Sequence, residues 1–158
     1  MAISESERAQ RELVVREALS WVGTAYHHMG RIKASRDANG VIVDTGGVDC
    51  AQLIWAIFYN CGLTEFLPPA HYPPDWHLNR GLEKFMAVVQ ARAHEVTVPL
   101  PGDVVLYRFG RAFAHGGIVV DPGWPRIVHA HFQARTVMIE DGAAGKLAGR
   151  PVKFFSRW

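Results

Sequence analysis

The chain is short of the features that would classify it fastest. Two cysteines in 158 residues are too few for a disulfide framework. Cys50 and Cys61 begin and end one helical pattern, about 16 Å apart at ~1.5 Å rise per residue, whereas a disulfide needs Cα atoms within ~7 Å. Both are therefore expected as free thiols. No apolar run approaches the ~20 residues of a membrane span, so none is expected. The amino terminus, Met1-Ala2-Ile3-Ser4-Glu5-Ser6-Glu7-Arg8, lacks the positive start and apolar core of a secretion signal, which predicts cytoplasmic synthesis without a signal peptide. An excess of either charge is lacking as well. The 17 basic and 15 acidic residues leave a net charge of +2 and are interspersed, which provides no footprint for nucleic acid. Cysteine and histidine also lack the short paired spacings of zinc motifs, so a Cys/His metal site is a weak alternative, and no metal or cofactor is expected.

What remains is an ordinary globular composition. With 49% of positions apolar, residues 1–158 can form one domain that buries its core without staples. Ser4 and Glu7 make a capping-box pattern before Ala9, Leu13, Val14, Ala18, Leu19, Trp21 and Val22, which recur at helical spacing until Gly23. Asn39-Gly40 lies between Arg31-Ile32-Lys33 and Val41-Ile42-Val43, predicting an inserted, exposed hairpin around 31–45. Asp49 is placed to cap a second helix whose apolar stripe runs Cys50, Leu53, Ile54, Ile57, Phe58, Cys61 and stops at Gly62. A Pro-rich loop and a helix capped by Asn79, carrying Leu82, Phe85, Met86 and Val89, are expected around 65–95. The period then changes to two. Strands are predicted over 103–109, 116–120, 126–131, 136–140 and 152–155. Helices first and an antiparallel meander second is an α+β arrangement with about five strands.

The residue at the start of the second helix carries the chemical interest. Unpaired backbone N–H groups and the helix dipole favour the thiolate of Cys50. A thiol nucleophile also needs a base, and the base works best when a third group fixes its tautomer. Eight histidines are available. His115 is followed by Gly116-Gly117, which removes side chains and allows close approach of a helix end or a substrate. His129 and His131 lie two apart on a strand and share a face, with Val128, Ala130 and Phe132 on the other. Either histidine of that pair is placed to orient His115.

In order, Trp21-Val22-Gly23-Thr24-Ala25-Tyr26, Gly47-Val48-Asp49-Cys50, Pro101-Gly102-Asp103-Val104-Val105-Leu106, His115-Gly116-Gly117-Ile118 and Ile127-Val128-His129-Ala130 resemble the NlpC/P60 cysteine peptidases. The resemblance implies a papain-like α+β fold, with N-terminal helices packed on the sheet, and hydrolysis of peptidoglycan stem peptides. Carried over by position, it makes Cys50 the nucleophile, His115 the general base and His129 the orienting third member of a catalytic triad. It makes Tyr26 an oxyanion partner and leaves Asp49 between helix cap and contact to the substrate's amine. His131 matches no family position and stays as the lesser orienter. The long spacer between Tyr26 and Cys50, with Tyr72-Pro73-Pro74-Asp75-Trp76, is most similar to tail-associated members from bacteriophages, prophages and gene-transfer particles. That likeness implies phage tail proteins as further partners and a virion tail acting at the bacterial cell wall. Ala51-Gln52 stand where many members have Ser-Gly, which removes a hydroxyl that helps bind the substrate amine. The alternatives are a catalytically silent tail-assembly or wall-binding module, and an amidase or acyltransferase on the same fold.

Overall fold

The computed structural model describes residues 2–68 and 84–158. Helix α1, Glu5–Ser20, starts at Ser4, whose hydroxyl accepts from the Glu7 N–H at 3.0 Å. The Glu7 carboxylate does not complete a reciprocal box but meets Arg11 at 2.8 Å. Arg11 is buried and also reaches Asp103 (2.8 Å), Ser156 and the Pro101 carbonyl. The Pro101-Gly102-Asp103 turn is thereby clamped to α1, since a buried guanidinium must keep its charge and donors satisfied.

Four short strands follow: β1 (Arg31–Ile32), β2 (Ser35–Arg36), β3 (Ile42–Asp44) and β4 (Gly47–Val48). The turn at Asn39-Gly40 is present, but pairing across it is β2 with β3, while β1 pairs with β4. Arg31-Ile32-Lys33 therefore does not oppose Val41-Ile42-Val43. Ile32, Val41 and Val43 are exposed, so no buried face imposes the longer register.

Helix α2, Cys50–Asn60, is capped by Asp49 and buries Leu53, Ile54, Ala56 and Ile57. Full burial of a leucine or isoleucine side chain such as Leu53 or Ile57 contributes about 1.5–3 kcal/mol. Helix α3 is Lys84–Gln90. The expected Asn79 cap, Leu82, and prolines 69, 73 and 74 lie outside the described residues.

The main sheet has six antiparallel strands rather than about five. Its strands are β5 (His94–Val96), β6 (Val104–Phe109), β7 (Ala112–Val119), β8 (Arg126–His131), β9 (Thr136–Asp141) and β10 (Val152–Ser156), in spatial order β5-β10-β6-β7-β8-β9. Strand β5 is a three-residue, largely exposed edge, too short to show a period of two. One sheet face packs on the helices through Val104, Leu106, Ile118, Val128, Ala130, Val137 and Phe155. Behind it, Val105, Tyr107, Val119 and Ile127 meet Leu147 from a short 3-10 turn at Gly145–Leu147. Helices first and an antiparallel sheet second make the chain α+β. Among the described residues, no helix is long and apolar enough to cross a membrane.

Candidate active site

His115 is inside a strand, not at its start, because the hairpin joining β6 to β7 extends back to Ala112. Tyr107 opposes His115 and Arg108 opposes Phe113, so Ala114 is the extra residue of a bulge. Bulges redirect side chains and backbone. Here the Ala114 carbonyl accepts from the Cys50 thiol at 3.7 Å.

Two glycines make the approach of the other elements feasible. A Cβ on Gly116 would sit 2.9 Å from the Val105 carbonyl oxygen, 2.9 Å from Ile54 Cδ1 and 2.7 Å from Leu106 Cδ2, so a side chain there would strain the β6 backbone and crowd α2. A Cβ on Gly117 would meet the Val128 carbonyl at 2.6 Å and His129 Cβ at 3.1 Å. Hydrogen-bonded pairing of β7 with β8 is confined to Ile118 with Val128 and Val119 with Ile127. Past that point the two strands contribute His115 and His129 to a cleft of about 290 Å³.

Tyr26, Cys50, His115, His129 and His131 all line this cleft, with Phe132 and Lys146 among its other walls. His129 is buried, and its Nδ1 is 2.8 Å from His115 Nε2. His131 Nδ1 instead accepts from the Ala134 N–H at 3.0 Å, within the turn after β8. Phe132 lies beyond the end of β8, so strand alternation does not govern it; its ring meets Tyr26 edge-on at 5.4 Å. Asp49 is buried, accepting from the N–H groups of Gln52 (2.9 Å) and Met29 (2.8 Å), with His28 Nδ1 at 3.8 Å. Gln52 accepts from Arg31, whose guanidinium lies 4.0 Å over the Trp55 ring and donates to the Leu67 carbonyl. The glutamine thus ties the β1–β4 segment to α2.

The thiol of Cys50 differs from the expectation of a cysteine poised to ionise. N–H groups of Gly116, Ala51 and Cys50 do favour the thiolate, but burial outweighs them, and Asp49 adds to the upward push on its pKa. At this site desolvation of the charge outweighs the gain from those N–H groups. Ionisation at Cys50 therefore depends on a proton acceptor in the cleft. The Tyr26 hydroxyl is also pushed up, by burial first and then by Cys50 and Asp49, which keeps it a hydrogen-bond donor. Burial lowers the pKa of His129 despite the opposing pull of Glu140.

Glu140 is the participant that sequence reasoning did not single out. Its Oε2 lies 2.7 Å from His129 Nε2. An acidic residue at even spacing on the next strand was the only signal, and its meaning depends on the β8–β9 register. Among the described residues, no group of His, Cys, Asp and Glu has the arrangement to hold a metal ion.

No protein-family model matches the chain, and no curated protein is significantly similar to it in sequence. Solved structures do match. The peptidoglycan hydrolase RipB from Mycobacterium tuberculosis aligns with TM-score 0.60 at 20% identity, over 98% of this chain and 68% of RipB. The NlpC/P60 domain of the peptidoglycan hydrolase SagA aligns with TM-score 0.53 at 15% identity, over 90% and 96% respectively. NlpC2 from Trichomonas vaginalis aligns with TM-score 0.56 at 19% identity, over 94% of this chain and 46% of its own. With its helix-borne cysteine packed against an antiparallel sheet, the chain has the NlpC/P60 fold.

Proposed function

We propose that the chain is a peptidoglycan hydrolase, a cysteine peptidase that cleaves stem-peptide amides by acyl transfer to water. The observation that carries this reading is the convergence of Cys50, His115, His129 and Tyr26 on one cleft, in a fold shared with peptidoglycan hydrolases. His115 takes the thiol proton as Cys50 Sγ bonds to the carbonyl carbon. The Cys50 N–H and the Tyr26 hydroxyl donate to the oxyanion. Protonated His115 then gives its proton to the departing amine as the C–N bond breaks. Water, deprotonated by His115, attacks the thioester, and the acid product leaves as the Cys50 thiol reforms. His129 holds the His115 ring throughout.

Cys50→Ala is expected to abolish release of stem-peptide fragments from purified peptidoglycan, read by mass spectrometry, without changing the fold. Undiminished release by that variant would sink the proposal. The same spectra identify the bond cut and separate a peptidase from an amidase or acyltransferase.

Action from a phage or prophage tail is the finer part of this proposal. Its support is the length of chain between Tyr26 and Cys50 and the segment 72–76, the latter outside the described residues. Detection of the chain in purified tail particles by mass spectrometry is the expected result, and its absence from them counts against the tail role. A silent wall-binding module is the second reading, favoured by the burial that keeps the Cys50 thiol protonated. Iodoacetamide separates the two readings: a Cys50 that alkylates no faster than Cys61 near pH 7 supports the silent module.

A further inference from the structure

Glu140 takes no part in the acyl-transfer steps, yet it ends the row of hydrogen-bonding groups that leads to them. Ile127 opposes Glu140 and His129 opposes Met138 in the β8–β9 register, so Glu140 and His129 are diagonal neighbours on one face. The Glu140 Oε2 lies 2.7 Å from His129 Nε2 and 3.8 Å from His131 Nε2. Its side chain is only 22% exposed, and the partner His129 is buried.

A carboxylate only accepts hydrogen bonds, so His129 Nε2 carries the hydrogen. Burial keeps the His129 ring neutral near pH 7, and a neutral imidazole protonated on Nε2 has a bare Nδ1. That Nδ1 faces His115 Nε2 at 2.8 Å, which must therefore donate. With its hydrogen on Nε2, neutral His115 has Nδ1 in the form that accepts a proton. The other groups that face the two rings are His131 on β8, Tyr107 on β6, and Tyr26, Cys50 and Lys146 around the cleft, while Asp141 beside Glu140 on β9 acts on Tyr107. Of these, His131 uses its Nδ1 to accept from the Ala134 N–H, which leaves its Nε2 hydrogen toward Glu140.

We propose that Glu140 is a positioning residue whose carboxylate, acting through His129, sets the tautomer in which His115 meets the Cys50 thiol. The proposal rests on the acyl-transfer reading of the cleft, and one acceptor governs two rings in series. Without it, His129 is free to carry its hydrogen on Nδ1. It would then donate to His115 Nε2 and move the His115 hydrogen to Nδ1, removing the base.

Long-range proton–nitrogen correlation spectra of the full chain, labelled with nitrogen-15 at histidine, read both tautomers without any substrate. Hydrogen on Nε2 of both His115 and His129 is expected at about pH 7.5, where an ordinary histidine is neutral. Hydrogen on Nδ1 of either ring in the unsubstituted chain overturns the proposal before any variant is made. Glu140→Met keeps the volume but removes the acceptor. It is expected to mix the tautomers and to slow iodoacetamide alkylation of Cys50 near pH 7 by about tenfold to a hundredfold, the scale on which a metal-bound histidine responds to loss of its hydrogen-bond partner. Glu140→Gln retains an oxygen acceptor and is expected to recover most of that loss. Unchanged tautomers and alkylation in Glu140→Met, with or without a lower melting temperature, overturn the proposal, as do equal losses in the two variants. These shifts in a chain that leaves peptidoglycan intact uphold the role of Glu140 and overturn the substrate reading. Peptidoglycan cleavage with Glu140→Met indistinguishable from the unsubstituted chain does the reverse.

Discussion

Cys50 and Cys61 stand at the two ends of α2, and the fold treats them differently. Cys50 is 7% exposed, opens on the cleft, and receives N–H groups from Cys50, Ala51 and Gly116. Cys61 is the half-buried C-cap; burial raises its pKa to about 11, with Glu17 adding to the rise and Lys33 opposing it. Both thiols are pushed toward the neutral form, so what separates them is not the ease of ionising alone. The separation comes from the company at the N-terminal end, where an imidazole pair shares the cleft. The helix N-terminus assists the Cys50 thiolate, and here that assistance is smaller than the cost of desolvation.

The comparison breaks most severely at His115. His115→Ala is expected to lower peptidoglycan turnover by about 10²–10⁴-fold, the usual worth of general acid–base catalysis. It should also erase the faster alkylation of Cys50 over Cys61 near pH 7. Mass-resolved labelling of the two cysteines checks this, and a preference that survives His115→Ala would separate Cys50 reactivity from the imidazole.

Gly116→Val tests whether close packing of α2 creates the difference between the two ends. The added Cβ meets the Val105 carbonyl as well as Ile54 and Leu106, and overpacking of this kind costs about 1–3 kcal/mol. Urea denaturation is expected to show that loss, with Cys50 alkylation slowed and Cys61 unaffected. Equal stability would mean that the helix can retreat at no cost.

Stability against pH sharpens the contrast through linkage. The folded-state pKa of His129 is lowered, so below about pH 6.5 the unfolded chain binds a proton that the folded chain refuses. Stability is therefore expected to fall as the pH drops through that range. The folded-state pKa of Cys50 is raised, so above about pH 8.5 the unfolded chain releases a proton that the folded chain keeps. Stability is expected to fall on that side too. Denaturation midpoints across pH should lose the acid limb in His129→Asn and part of the alkaline limb in Cys50→Ala. The smallest effect is reserved for Cys61→Ala, which should leave turnover unchanged.

Much of this arrangement was legible in the amino-acid order. The stripe from Cys50 to Cys61 and the Asp49 cap are local, so α2 follows from a period of 3.6 and one carboxylate. Strands β6, β8 and β9 follow from alternation, and the glycines after His115 signal the close approach that Gly116 and Gly117 allow. Less was legible where local signals were weak or conflicting. Strand β5 is an exposed edge of three residues. The β1–β4 segment presents Ile32, Val41 and Val43 to solvent, so its apolar residues do not report its pairing.

By itself the sequence determined the elements that can be read from short-range periodicity and capping. It placed a cysteine at a helix start, a histidine before two glycines, and two histidines on one strand face. Only the tertiary structure brought His129 Nδ1 to 2.8 Å from His115 Nε2 and left His131 bonded to the Ala134 N–H. It also paired Glu140 with His129 and kept the Cys50 thiol protonated by burial. The reason is physical: His129 and His131 are equivalent by alternation, whereas strand register and desolvation depend on contacts distant in sequence.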